Sequence, residues 1–209
     1  RVILWGGGVW NWFDPLTLLK AMPQVLARHP EARLVFLGVN HPDSGRVSEM
    51  EVVQQARNLS HSLGLEEPRK TVFWGDWVSY ADRGAFLLDA DVGVSLHRPG
   101  IESRLAFRTR LLDAIWSGLP MVCSEGDILA EELAQEGLAK LVPSGDVERV
   151  AMALNALLDE PNARASRRPA YERVRQRYLW ERVTEPLVRF CRSPRLCPGK
   201  EAALALPPK

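Results

Sequence analysis

The chain has 209 residues, of which 46% are hydrophobic, enough for one domain with a buried core. Its 27 lysines and arginines nearly balance its 26 aspartates and glutamates, so the net charge is only +1. This balance argues against a nucleic-acid partner, and no apolar run reaches the roughly 18 residues that a membrane helix needs. Three cysteines and no signal peptide favour a reducing, cytoplasmic compartment.

Apolar runs alternate with amphipathic stretches along the chain and predict strands that alternate with helices. Strands are predicted at residues 1–5, 33–39, 71–74, 92–96, 119–123 and 138–142. Helices are predicted from residue 15 onward and at residues 47–63, 80–89, 104–117, 128–135, 147–158, 164–178 and 180–191. Asp14 and Pro15 form a helix start, and Gly64 and Gly118 form helix ends. Because Arg1 already lies in a strand-like run, we expect an upstream part.

This alternation predicts an α/β fold with a doubly wound, parallel, six-stranded Rossmann-like sheet in the order 3-2-1-4-5-6. Such sheets bind ligands outside the carboxyl ends of the strands, where the winding reverses between strands one and four. The loops that follow those two strands, GGGVWNWFD and HRPGIESRLAFR, are the most unusual stretches of the sequence. We therefore expect the two loops to form one binding site.

The first loop combines flexible glycines with aromatic residues. Gly6, Gly7 and Gly8 can bring backbone amides close to an anion, although a simple strand-to-helix turn would also use glycine. The aromatic side chains can stack on a sugar or base, or pack against a neighbouring domain; they are Trp10, Trp12 and Phe13. Asn11 lies between them and can reach a ligand hydroxyl.

The second loop is basic and polar. If residues 104–117 are helical, Arg104 and Arg108 lie one turn apart and can offer guanidinium groups to phosphate. Thr109 and Asp113 share another side of the helix, where Asp113 can accept hydrogen bonds from paired hydroxyls. His97 can donate to a ligand oxygen or cap the loop. Arg110 is interpreted as a solvated residue in a surface ion pair.

Several common sites are absent from the sequence. The glycines do not form GxGxxG, and Val39 and Asn40 stand where a dinucleotide site would carry an acid. No Walker loop, metal-ligand cluster or Ser/His/Asp set is found. We therefore predict no cofactor and no metal.

The segment LLDAIWSGLPMVCSEGD resembles the helix–strand signature of retaining GT-B glycosyltransferases of family four, also called group 1. The segments DADVGVSLH, LVFLG, TVFWGDW and LVPSGDVERVAMALNALLDE resemble other parts of that family's carboxy-terminal domain, in the same order. WERVTEPLVRF is similar to its last helix. The resemblance covers most of residues 1–192.

This resemblance implies that residues 1–192 form a nucleotide-sugar donor-binding domain with a terminal crossing helix and that residues 193–209 form a flexible tail. The partners implied are a nucleotide sugar, a missing amino-terminal acceptor domain, and a lipid-linked or polysaccharide acceptor. Transfer would be metal-independent, and this chain alone would be inactive. A cytoplasmic location, with peripheral attachment to the inner membrane face left open, also follows from the resemblance.

The resemblance also suggests roles for individual residues. Asp113 matches the family's second glutamate, which binds the ribose hydroxyls. The family's first glutamate falls on Leu105, so Glu102 is the nearest acid that can hold the transferred sugar. The basic pair that the family carries after strand one is absent, and Arg108 is proposed to supply that charge. Val78 follows strand three, where the family's backbone holds the base.

Two alternatives stay open at this point. A sugar-nucleotide 2-epimerase of the GT-B type shares the fold but normally carries an acid and histidine set that is not found here. A nonenzymatic nucleotide-binding or scaffold module would explain the missing basic pair.

Overall fold

Six strands alternate with helices in the computed structural model, which describes residues 1–40, 43, 49–66 and 70–195. The strands are β1 (Val2–Gly6), β2 (Arg33–Asn40), β3 (Val72–Asp76), β4 (Val92–Ser95), β5 (Met121–Ser124) and β6 (Ala139–Val142). The helices are α1 (Pro15–Arg28), α2 (Glu51–Ser62), α3 (Tyr80–Asp89), α4 (Ile101–Leu105), α5 (Arg110–Ser117), α6 (Ile128–Gln135), α7 (Val147–Asp159), α8 (Ala163–Ser166), α9 (Arg168–Arg177) and α10 (Trp180–Arg192).

The strands form one parallel sheet in the order β3-β2-β1-β4-β5-β6, which confirms the predicted fold class and strand order. In the centre of the sheet, Trp5 of β1 pairs with Phe36 of β2, and Ile3 pairs with Val92 of β4. The winding reverses at β1 because the chain continues to β2 on one side and returns to β4 on the other.

Helices cover both faces of the sheet, as the alternating side chains of β1 show. Ile3 and Trp5 are fully buried in the large apolar cluster that includes residues of α1, α2 and α7. Leu4, which points to the opposite face, lines a small apolar space with Leu87 of α3 and Ala114 of α5. The loops at the carboxyl edge are thus held by a core packed on two sides.

The predicted helix over residues 104–117 is wrong in its first half. The chain forms the short helix α4, breaks over residues 106–109, and begins α5 at Arg110. The buried Asp127 explains the break, because its carboxylate accepts the backbone N–H of Arg108 (3.2 Å) and that of Ala130 in α6 (2.8 Å). Arg104 and Arg108 therefore do not lie one turn apart on a single helix.

The chain divides into two compact units, with the division after residue 172. The boundary between domain and tail after residue 192 stays a prediction. The second unit contains the end of α9 and the amphipathic helix α10, with exposed Trp180, Leu187 and Phe190. The predicted tail lies mostly outside the described residues, as does the start of the helix predicted at residue 47. Within the described residues, no helix is both long and apolar enough to span a membrane.

Candidate functional site

A crevice of about 570 Å³ opens at the carboxyl edge of the sheet, between the loop after β1, the last part of β2, the loop after β3 with the first turns of α3, and the beginning of α5. We call it the glycine crevice; it is lined by Gly6, Gly7, Gly8, Leu37, Gly38, Trp77, Val78, Tyr80, Arg83, Thr109, Arg110, Leu112 and Asp113. The three glycines and the start of α5 thus face one another. The loop after β4, residues 97–108, was expected to share this site but does not line the crevice; residues 109–113 take its place.

The glycine loop lies very close to α5. Gly7 has φ +141°, a conformation that L side chains rarely adopt, and a Cβ there would lie 3.7 Å from the Nη2 atom of Arg110. Gly38, with φ +71°, approaches the loop from β2, and a Cβ there would lie 3.4 Å from the backbone nitrogen of Gly8. Side chains at these positions would narrow the crevice, so glycine keeps the backbone accessible to a ligand.

Arg110 is not the solvated surface residue that the sequence suggested. Its Nη2 atom donates to the carbonyl oxygen of Gly8 (3.2 Å), and its guanidinium lies 4.1 Å from the centroid of the Phe13 ring. Its Nη1 atom is buried and has no hydrogen-bond partner among the described residues. Burial, followed by the nearby charge of Arg108, lowers the pKa of Arg110 to about 10, so it remains a cation at neutral pH.

Asp113 lies in the crevice one turn further along α5, as predicted, and forms an ion pair that the sequence did not indicate. The Nη2 atom of Arg83, in the first turns of α3, donates to its Oδ1 atom at 3.0 Å. Burial raises the pKa of Asp113, although Arg83 and Arg110 act in the opposite direction. The Asp113 carboxylate can accept hydrogen bonds from ligand hydroxyls if the Arg83 side chain moves slightly.

A second polar cluster lies beside the crevice but does not line it. Arg108 is 7% exposed and forms two hydrogen bonds to the Glu102 carboxylate, Nη1–Oε1 (2.9 Å) and Nη2–Oε2 (2.6 Å). Its guanidinium lies 5.3 Å from the centroid of Phe13, which contacts Arg110 as well. The structure therefore brings Glu102 and Arg108 together but commits Arg108 to Glu102 rather than to the crevice.

His97 is buried next to this cluster. Its backbone N–H donates to Ser124 Oγ (3.1 Å), and it pairs through a β-bridge with Phe13. Burial, followed by the charge of Arg108, lowers the pKa of His97, so its ring is neutral at pH 7. Its Nδ1 atom has no partner within the described part of the chain. His97 lies outside the glycine crevice, and its predicted ligand contact stays a prediction.

The remaining candidates are divided between the crevice and its surroundings. Val78 and Thr109 line the crevice. Arg104 is exposed in α4 and does not line it. The Oδ1 atom of Asn11 accepts the backbone N–H of Val52 (3.2 Å) in the first turn of α2, so this side chain stabilises a helix start rather than facing the crevice.

Sequence reasoning missed Arg83, Arg110 and Tyr80 as crevice residues. Arg110 precedes Asp113 by three positions, a spacing that places both on one side of a helix, so that signal was present. Arg83 and Tyr80 stack on each other, with the guanidinium 4.8 Å from the ring centroid, in a helix that begins at the carboxyl edge. In the described part of the chain, no three His, Cys, Asp or Glu side chains are grouped to hold a metal ion.

The chain is similar in sequence to known glycosyl transferases. The sequence model of the family described as "Glycosyl transferases group 1" matches residues 1–160. The chain is 31% identical over 173 residues to the phosphatidyl-myo-inositol mannosyltransferase of Mycolicibacterium smegmatis, across 82% of this chain and 39% of that protein. The chain thus spans about two fifths of this relative's length.

Two solved structures share the fold. The C-terminal domain of the glycosyl transferase group 1 protein LpcC from Francisella tularensis matches with a TM-score of 0.67 and 16% identity, over 85% of this chain and 86% of that chain. Anabaena HepE, solved in complex with UDP and glucose, matches with a TM-score of 0.70 and 16% identity, over 92% of this chain and 48% of that chain. At this level of identity, the two matches establish the fold alone.

Proposed function

The chain belongs to the group 1 glycosyl transferases, and we propose that it is the donor-binding part of an enzyme that transfers a sugar from a nucleoside diphosphate sugar to an acceptor with retention of configuration. The observation that carries this proposal is the glycine crevice, in which backbone amides, a helix start and a carboxylate face one another. These groups suit the diphosphate and the ribose of a nucleoside diphosphate.

The proposed arrangement follows the chemistry of the lining. The amide of Gly8 and the positive end of α5 would bind the diphosphate, whereas the N–H of Gly7 donates to the carbonyl oxygen of Trp5 (3.1 Å). Asp113, three residues into α5 and thus about 5 Å further along its axis, would accept from the ribose hydroxyls. The backbone near Val78, at the end where Trp77 also lines the crevice, would hold the base.

We assign the transferred sugar to the side where Glu102 lies. The paired hydrogen bonds from Arg108 fix the orientation of the Glu102 carboxylate, which leaves a half-exposed acceptor for sugar hydroxyls. As the bond between sugar and diphosphate breaks, negative charge develops on the leaving group, and the amides and cations of the crevice would stabilise it. We expect this stabilisation to suffice without a bound metal or cofactor.

The acceptor would be bound by a second domain, because this chain spans only about two fifths of the mannosyltransferase that it resembles. That relative's name refers to a phosphatidyl lipid, which supports a lipid-linked acceptor; a polysaccharide is the other candidate. A cytoplasmic location with peripheral membrane attachment belongs to the same proposal. The chain without that domain should bind donor but not transfer sugar.

Isothermal titration of this chain with UDP, GDP and ADP tests the proposal. We expect micromolar to millimolar binding of one or more diphosphates and weaker binding of the matching nucleoside. Asp113→Asn should weaken nucleoside binding. Lys20→Gln, at an exposed position of α1, is a control that should change nothing. Failure to bind any diphosphate would favour a scaffold module, and C2 epimerisation of a nucleotide sugar, followed by NMR, would favour an epimerase.

A further inference from the structure

The loop after β1 lacks a positive charge. Residues 2–19 contain no lysine or arginine, although this loop provides the three glycines of the crevice. Backbone amides alone can bind a phosphate, but a diphosphate that leaves during a reaction carries additional charge and benefits from a fixed cation. A cation from elsewhere in the fold is therefore needed at this loop.

Two arginines line the crevice among the described residues, and they are held differently. Arg83 is paired with Asp113 and stacked on Tyr80, so it belongs to the end of the crevice where the ribose is proposed to bind. Arg110 contacts the glycine loop directly through its hydrogen bond to Gly8. Arg108, the arginine suggested by the sequence, donates hydrogen bonds from both Nη atoms to the Glu102 carboxylate and does not line the crevice.

The guanidinium of Arg110 is fixed in place and still has capacity to bind. The hydrogen bond from Nη2 to Gly8 and the contact with Phe13 restrain its plane at the edge of the glycine loop. Its Nη1 atom is buried and lacks a partner in the described residues, an arrangement that is unfavourable in the absence of an acceptor. Because Arg110 also lines the crevice, a phosphate oxygen at the glycine loop can accept a hydrogen bond from its guanidinium.

We propose that Arg110 binds the diphosphate of the donor and replaces the basic residues that the loop after β1 lacks. This inference rests on the proposed function and adds one residue to it. The cation comes from the helix that also carries Asp113, so a single rigid element positions both the diphosphate and the ribose. Because the guanidinium is already oriented, little side-chain entropy is lost when the ligand binds.

The test is titration of Arg110→Gln with the nucleoside diphosphate that binds the unaltered chain best, with the corresponding nucleoside, and with inorganic pyrophosphate. Glutamine is polar and carries amide N–H donors but lacks the positive charge. Arg28→Gln is the matched control, since Arg28 is an exposed arginine at the end of α1 whose partner is Asp159. Thermal melts of both variants establish that they are folded.

We expect Arg110→Gln to bind the nucleoside diphosphate about 10- to 100-fold more weakly. Affinity for the nucleoside should stay within twofold, and pyrophosphate binding should be lost. Diphosphate affinity within twofold of the unaltered chain would overturn the role of Arg110 and leave the proposed function intact. An unaltered chain that binds none of the three diphosphates would instead overturn the proposed function itself.

Arg110→Lys keeps the inference testable if the glutamine variant does not fold. Lysine preserves the charge but cannot donate to the Gly8 carbonyl and a phosphate in one fixed plane. The affinity of Arg110→Lys for the diphosphate should lie between the affinities of the unaltered chain and of Arg110→Gln. If Arg110→Gln does not fold, the affinity of Arg110→Lys should be three- to tenfold below that of the unaltered chain. Unchanged affinity would contradict a role for the fixed guanidinium.

Discussion

The Glu102–Arg108 pair makes an asymmetric prediction about stability. The two side chains share two hydrogen bonds, but Arg108 is 7% exposed whereas Glu102 is 51% exposed. Removing Arg108 leaves a carboxylate that water can reach, whereas removing Glu102 leaves a buried guanidinium without its counterion. The second change should therefore destabilise the fold more than the first.

Magnitudes follow from the two limiting cases. Breaking a fully buried pair costs about 3 to 5 kcal/mol, and an exposed pair contributes about 0 to 1 kcal/mol. Arg108→Met loses the guanidinium contact with Phe13 but keeps an apolar side chain of similar length and the backbone hydrogen bond to Asp127, so we expect a loss of about 1 to 2 kcal/mol. Glu102→Ala leaves the buried Arg108 guanidinium without its counterion and should lower the free energy of unfolding by about 2 to 4 kcal/mol.

Urea denaturation of the two variants, with thermal melting as a second probe, measures this difference. For a chain of this size, a loss of 1 kcal/mol corresponds to a decrease in Tm of about 2 to 4 °C. The double variant should lose less than the sum of the single losses, because Arg108 and Glu102 interact directly. Equal losses, or a larger loss for Arg108→Met, would refute the reasoning from burial.

Three further predictions follow from the site and the helices beneath it. Gly7→Ala should lower the free energy of unfolding by about 1 to 3 kcal/mol, because the backbone at Gly7 has a positive φ. Gly100→Ala should leave it unchanged, because Gly100 has an extended backbone with no neighbouring atoms in the way of a Cβ. Equal losses for the two variants would contradict this prediction. Burial raises the pKa of Asp113 above its ordinary value of 3.8, so its ionised form destabilises the fold at higher pH. At pH 7, the urea concentration at the midpoint of unfolding should therefore be higher for Asp113→Asn than for the unaltered chain. This difference in midpoint should shrink as the pH falls toward 3.8. A variant that is less stable than the unaltered chain at pH 7 would contradict the prediction. Arg164→Met should lower stability by roughly 2 to 3 kcal/mol, because Arg164 donates to carbonyls at the ends of α3 and α5, and an unchanged Tm would show that these contacts are dispensable.

Two charged side chains of the crevice, Arg110 and Asp113, are partly buried, which lowers the stability of the fold. Burial acts against the charged forms of both Arg110 and Asp113, as the directions of their pKa changes show. Such groups are retained at sites where a ligand interacts with the charge. Ligand binding should therefore raise the Tm of the chain beyond the effect of filling an apolar cleft.

The sequence predicted the strand order because each strand is a short apolar run separated from the next by an amphipathic helix. It also predicted a binding site at the glycine loop, since the topology places that loop where the winding reverses. The expected second half of the site, residues 97–108, was wrong, because residues 109–113 line the crevice instead. The break before α5 was not predictable, because local residues favour helix and the break depends on Asp127, nineteen positions after Arg108. The position of Arg110 likewise depends on its contact with Gly8, 102 positions earlier in the chain. A contact over such a distance in sequence cannot be predicted from a local pattern.

A structure of this chain with the nucleoside diphosphate that titration identifies is the most direct test of the central claim. We expect the diphosphate to lie between the Gly8 amide and Arg110, with the ribose hydroxyls at Asp113. A nucleotide bound away from the glycine crevice, or bound there with its phosphates directed away from the glycine loop, would contradict it.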